Sequence, residues 1–265
     1  MDRSTFRKLK RSLLRIREDI RGLLISRFIF KEVQRIIASN PAIQIESSFY
    51  EWMGYVYITH AVVGVRRHFD KDSRSLSLLQ FLEAVEKYSS DFTKKRFQRL
   101  YPQPLRTDVA PKVFRKFSGN RLDHVNPAIV RKDIRALRKA VRRISHFTNK
   151  RVAHLDKSKF RALPNFNQLD NSLDELERLV KKYILLFFAE DTNLVPIWQY
   201  DWKQIFRHRW IPWLNELSTR ASTAHNRRNH DAPSVDRRGC SEVKNNSCGR
   251  STVLLTLGVR LRPQK

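Results

Sequence analysis

From Phe6 onward the chain places an apolar residue every three to five positions: Leu9, Leu13, Ile16, Ile20, Leu24, Ile29, Val33 and Ile36. That spacing draws one stripe along a single long helix. Asn40-Pro41 ends it, because the residue before a proline is pushed out of the helical region. A second helix is predicted from about residue 47 to 69, rich in aromatic side chains at Phe49, Tyr50, Trp52, Tyr55 and Tyr57. His60, among Tyr57, Ile58, Ala61 and Val62, reads as a core histidine. A third helix is predicted from about residue 75 to 88.

Residues 101 to 126 carry Pro102, Pro104, Pro111 and Gly119. A connector of that length is expected to hold short helical pieces or to form a lid. Asn126-Pro127 opens a fourth helix, with proline in its first turn. Its buried stripe is Ile134, Leu137, Val141, Ile144, Thr148, Val152 and Leu155. Pro164 separates it from a fifth helix, about residues 169 to 189, with Leu173, Leu176, Leu179, Val180 and Ile184 inward. Residues 200 to 214 form a short amphipathic close with Trp202, Ile205, Phe206, Trp210 and Trp213, and these tryptophans read as core rather than as a stacking platform. The fold class predicted is all-α, a bundle of long antiparallel helices over residues 1–217.

Beyond Leu217 the character changes. Residues 218–265 form a polar basic tail, and residues 218 to 252 have the Ser, Asn, Arg, His and Gly composition of disordered chain. The apolar run at 253 to 261 leaves a β-strand or no structure open.

Composition adds one strong constraint. The 53 Lys and Arg against 26 Asp and Glu give a net charge of +27. Such an excess speaks to partners rather than to fold, and nucleic acid is the commonest polyanion. The N-terminal cations interleave with Phe6, Leu9 and Leu13, which is no secretory signal. The best apolar run, residues 55 to 65, contains His60 and is about half of what a membrane span needs. No membrane insertion is expected, and a reducing cytoplasm is the expected location. The two cysteines, Cys240 and Cys248, make no disulfide framework, and with His225 and His230 they match no standard zinc spacing. No Walker or dinucleotide glycine pattern occurs, and no carboxylate cluster suited to magnesium, so neither cofactor nor metal is expected.

Candidate chemistry concentrates in Phe147-Thr148-Asn149-Lys150-Arg151-Val152-Ala153-His154-Leu155-Asp156. On a helix, His154 falls in one column with Arg143, Phe147 and Lys150, about a third of a turn from the buried stripe. A histidine exchanges protons near neutral pH, and neighbouring cations offset charge that develops on a phosphate. The alternative from the residues alone is a histidine that hydrogen-bonds a neighbouring helix beside a solvated basic face. Upstream, Arg66 and Arg67 are adjacent and point in different directions. One can reach a pocket while the other pairs with Asp70.

This decapeptide resembles the active-site segment of the AbiU-like HEPN family, all-helical proteins of bacterial phage defence. Asn149 and His154 match the family pattern, whereas Thr148 stands where its arginine is expected. Arg66-Arg67-His68-Phe69-Asp70 with Ser73-Arg74-Ser75-Leu76-Ser77-Leu78 resembles the family's basic motif. Leu173-Asp174-Glu175-Leu176-Glu177 and Tyr200-Asp201-Trp202 extend the similarity to about residues 20–214, while the tail departs from it.

The resemblance implies a HEPN-like bundle that binds RNA or cleaves it without metal, in phage defence or a toxin-antitoxin system. It implies His154, Arg151 and Asn149 as catalytic residues, and Lys150, Arg66, Arg67 and Arg143 as substrate-binding. It also implies a homodimer with facing His154 pockets, and an antitoxin or defence partner. A non-catalytic nucleic-acid-binding protein or a helical adaptor is the competing expectation.

Overall fold

The computed structural model describes residues 1–72, 74–147, 165–195 and 201–208. Its long helices are α1 (Arg3–Ser39), α2 (Ser48–Arg67), α7 (Pro127–Phe147) and α8 (Phe166–Phe188). Between them lie α3 (Leu78–Lys87), α4 (Lys94–Gln98), α5 (Leu105–Asp108) and α6 (Ala110–Ser118). Among the described residues the only β-type pairing is a single bridge between Thr93 and His124. The all-α class expected from periodicity is what forms.

Local chemistry sets each boundary. Asp2 caps α1 by accepting from Thr5 N, and Asn40 closes it, as the Asn-Pro step predicts. Ser47 and Ser77 cap α2 and α3, so the third helix begins later than its apolar pattern suggests. Asn126 Oδ1 accepts from Ala128 N, with Pro127 leading α7. Asn165 and Gln168 form a reciprocal capping box, which starts α8 at Phe166 rather than near Leu169. Ala189, with φ of 57°, ends it in the left-handed conformation.

The bundle is antiparallel. Asp19 meets His68, Leu23 meets Gly64 and Phe30 stacks on Tyr57, so each advance along α1 is matched by an equal retreat along α2. Gly64 permits the close approach: a Cβ there would stand 2.9 Å from Leu23 Cδ1. Helix α8 runs back along α1, with Arg27 on Asp174 and Lys31 on Asp170 at one end and Phe6 stacked on Phe187 at the other. Helix α7 is antiparallel to α8, joined by Ser172 to the Ala140 carbonyl and by Arg178 to Asp133.

The expected stripes of α7 and α8 are buried wherever they fall within the described residues. Along α1 the stripe holds to Leu24 and then shifts, so that Phe30 is buried while Ile29, Val33 and Ile36 are half-buried. A real helix turns 100° per residue, and a string of three- and four-residue steps drifts around it.

One expectation needs correction. His60 is exposed, because the buried face of α2 is carried by Gly54, Tyr57, Ala61, Val62, Gly64 and Val65, and position 60 lies well off it. Phe49, Trp52 and Tyr55 are exposed as well. The connector holds short helical pieces, the first of its two expected forms: Phe114 and Phe117 of α6 pack on Phe97 of α4 and are fully buried.

The described residues up to 195 cluster as one compact unit, and residues 201–208 belong to another. There Asp201 caps a 3-10 turn, Trp202–Arg207, in which Trp202 meets Phe206 edge-on and Ile205 is exposed. The expected boundary near residue 217 and the tail at 218–265 lie outside the described residues. Among the described residues no helix is long and apolar enough to cross a membrane.

Candidate functional site

Helix α7 is divided between two chemistries. Val130, Asp133, Ile134, Leu137, Val141, Ile144 and Ser145 face the interior. Arg131, Lys132, Arg135, Arg138, Lys139, Arg142 and Arg143 line the outer side. The only acid on the helix, Asp133, is 4% exposed and turned toward α8. There it accepts from Lys182 Nζ at 2.5 Å, Tyr183 Oη at 3.0 Å and Arg178 Nη2 at 3.3 Å. Burial, with the charge of Asp133 beside it, pushes the Tyr183 phenol well above its usual range, so it stays a donor to that carboxylate.

The consequence for the outer face is electrostatic. Its single internal acid points inward, and two outer cations are paired across to α3, Arg131 to Glu86 at 3.5 Å and Arg138 to Glu83 at 3.1 Å. The other five belong to a run of like charge along one helix, clear of the core. Such a face has the charge to complement a polyanion, and contacts of that kind depend strongly on salt. Arg131, Arg135, Arg138 and Arg142 recur in threes and fours along the sequence, but of the outer cations only Arg143 enters the sequence reading, through its helical column with His154.

The second cluster lies at the C-terminal end of α2. Arg66 Nη1 is 3.6 Å from Asp70 Oδ1, the i,i+4 pairing anticipated for one of the two arginines. Arg67 turns the other way, to Asp19 on α1 at 2.8 Å. His68 follows, 1% exposed, with Nε2 2.9 Å from Asp19 Oδ2. Its contact draws the Asp19 carboxyl below the usual carboxylate range against the upward push of partial burial, and Arg67 adds to the pull. Neither ring nitrogen of His68 meets strict hydrogen-bond geometry, although Nε2 stands at hydrogen-bonding distance from Asp19 Oδ2. A histidine this deep cannot reach a substrate. It ties the end of α2 to α1, and its carbonyl accepts from Leu79 N to seat α3.

Register separates these clusters. Arg143 is about level with Phe30 and Tyr57, whereas Arg66 and Arg67 are level with Asp19 and Asp133. Nine residues of α2 at the helical rise amount to roughly 13 Å along the bundle axis. The described structure thus sets Arg66 and Arg67 apart from Arg143. Asn149, Lys150, Arg151 and His154, with Thr148, lie outside the described residues, as do Cys240, Cys248, His225 and His230. Among the described residues no three His, Cys, Asp or Glu side chains converge to hold a metal ion.

The chain matches no curated protein and no solved structure. Residues 8–205 match the sequence profile of the HEPN family described as AbiU2. That span takes in the bundle from the first turns of α1 through α8, the α2 motif and the Asn149–His154 segment. The match covers most of the chain, and the chain belongs to the AbiU2 family of HEPN domains.

Proposed function

We propose that this HEPN domain binds RNA along the cationic face of α7 and delivers it to His154. The observation that carries the reading is the run of outward cations from Arg131 to Arg143 on the helix that leads into the Asn149–His154 segment. Cations in such a row neutralise RNA phosphates and release the counterions condensed on the RNA, which makes association strong at low salt and independent of sequence. In the catalytic step the RNA 2′-OH attacks the adjacent phosphorus and the 5′-oxygen departs. His154 shuttles the proton and Arg151 or Lys150 offsets charge on the phosphoryl oxygens, with Asn149 in support. No metal enters this scheme. Arg66 and Arg67 add to the basic field from a neighbouring part of the bundle.

Thr148 makes the reaction slow. It carries no charge and cannot grip a phosphate with the paired donors of a guanidinium. That departure favours a second reading, a HEPN domain that binds RNA without cleaving it. The setting proposed for both is phage defence or a toxin-antitoxin system in the cytoplasm, with a homodimer bringing two His154 segments together and a neutralising partner to restrain them.

RNA cleavage in the presence of EDTA tests the scheme. Weak cleavage by the parent, lost in His154→Ala and raised in Thr148→Arg, is the expected result. Robust cleavage that survives His154→Ala removes this site. A parent and a folded Thr148→Arg variant that bind RNA but never cut it establish the binding reading.

A further inference from the structure

At the end of the bundle where α1 begins, a hollow of about 70 Å³ opens between α1, α4 and α8. Its wall is apolar: Phe92, Phe97, Leu186 and Phe187 line it and are buried, while Leu100 stands exposed at the rim. A cavity of about 150 Å³ holds one benzene ring. About half of that has room for the branched end of a valine or leucine, and none for a nucleobase.

Two cations edge this hollow, Lys10 and Arg96. The Arg96 guanidinium lies 3.4 Å from the centre of the Phe6 ring, which also stacks on Phe187. Lys10 Nζ lies 4.4 Å from the centre of the Phe188 ring. Among the described residues neither cation has an ion-pair partner. Glu190 and Asp91 act on them through charge alone, and Asp91 is paired with the terminal amine. Burial lowers the pKa of both cations, and the Arg96 charge lowers that of Lys10 further. The same two segments expose Arg3, Arg7 and Lys8 on α1 and Lys94, Lys95 and Arg99 along α4. Just beyond α4, Leu105 and Val109 are exposed as well. Cations short of anions thus stand beside aliphatic side chains short of cover.

We propose that this end of the bundle docks an acidic segment of a partner protein, with one aliphatic side chain of that segment seated in the hollow and a flanking carboxylate on Lys10 and Arg96. A small apolar anchor in a preformed pocket supplies affinity, and the surrounding charge supplies orientation and a fast encounter. RNA fits this surface less well. The Phe6 ring is taken up by Arg96 and Phe187, which leaves no free face there for a base. Leu100, Leu105 and Val109 offer nothing to a phosphate backbone, whereas exposed aliphatic side chains rimmed by charge are the makings of a protein interface. The hollow is roughly 30 Å along the bundle axis from Arg143, from some twenty residues of α1 at helical rise. Docking here therefore stands or falls independently of the α7 face and of His154.

Fluorescence anisotropy with the full chain tests it, using labelled peptides of aspartate and glutamate built around a central leucine, valine or serine, and a labelled uridine hexaribonucleotide. The leucine and valine peptides are expected to saturate one site and to bind at least fivefold tighter than the serine peptide. Lys10→Gln should weaken the leucine peptide fivefold or more, and Leu100→Glu should do the same from the rim. Neither position is buried, so the thermal transition of both variants should match the parent. Lys71→Gln, which removes one exposed charge outside the hollow, should stay within twofold of the parent. Equal binding of the leucine and serine peptides would reduce the contact to net charge and overturn the proposal. So would a lack of saturable peptide binding by the folded parent, or affinities unchanged in both Lys10→Gln and Leu100→Glu. Loss of hexaribonucleotide binding in those two variants, with no preference among the peptides, would assign the surface to RNA instead.

Discussion

Asp19, midway along α1, holds the buried imidazole of His68 at the C-terminal cap of α2, with Oδ2 2.9 Å from Nε2. The same carboxylate takes Arg67. One acid thereby fixes the end of α2 and, through the His68 carbonyl, the start of α3. The basic motif at the end of α2 is structural at its histidine, while its two arginines diverge.

Asp19→Asn should destabilise the bundle by about 1 kcal/mol at neutral pH. The figure is kept small because the carboxylate is partly solvent-exposed, where water screens the pair. The sign with pH follows from the lowered carboxyl pKa in the folded state. The stabilisation is present above the ordinary carboxylate pKa and is lost as pH falls through the folded value. Urea midpoints of parent and variant should converge in acid. A gap that persists unchanged at a pH well below the carboxylate range would show that the effect comes from something other than ionisation.

Gly64→Ala sets two effects against each other. Alanine favours a helix by about 1 kcal/mol over glycine, but its methyl would meet Leu23, which is fully buried in the α1–α2 seam. Overpacking of that kind costs about 1–3 kcal/mol, so a net loss of about 1 kcal/mol is expected. In a Leu23→Ala background the methyl has room, and Gly64→Ala should there be neutral or stabilising. The same loss in both backgrounds would refute the packing argument.

The α7 face makes a quantitative prediction about salt. Replacing Arg135 and Arg142 together by glutamine removes two exposed charges and alters no buried position. The slope of log K against log salt for single-stranded RNA should become shallower by about 1.4, since each phosphate that is no longer neutralised accounts for about 0.7. The melting temperature should stay nearly unchanged. An unchanged slope with intact binding would place the RNA on another surface.

Residues beyond Leu217 are proposed to be dispensable for folding. Residues 218 to 252 offer little apolar side chain to offset the entropy of ordering them. Truncation after Leu217 should leave the thermal transition of the bundle nearly unchanged. A drop of several degrees would show that the tail contributes to the packed structure.

The hydrophobic spacing alone determined the class of this protein and most of its elements. Ile134, Leu137, Val141 and Ile144 on α7 and Leu173 through Ile184 on α8 lie buried where their three- and four-residue steps put them. Asn40-Pro41 and Asn126-Pro127 mark helix ends because proline's effects are local. The Asn149–His154 segment pointed to the HEPN family from residue identity alone.

What spacing does not encode is depth and register. His60 and His68 sit eight residues apart on α2 or at its cap, yet one is exposed and the other is sealed against α1. The difference arises from which neighbour stands opposite each. Likewise, the level at which Arg66, Arg67 and Arg143 come to rest is set by how α1, α2, α7 and α8 slide past one another. That sliding is fixed by contacts such as Leu23 against Gly64 and Ser172 against Ala140, which join residues distant in sequence. Phe6, Lys10 and Arg96 come together only because α1, α4 and α8 meet at that end of the bundle. Periodicity reports which face of a helix turns inward. Only the packed bundle decides what that face meets.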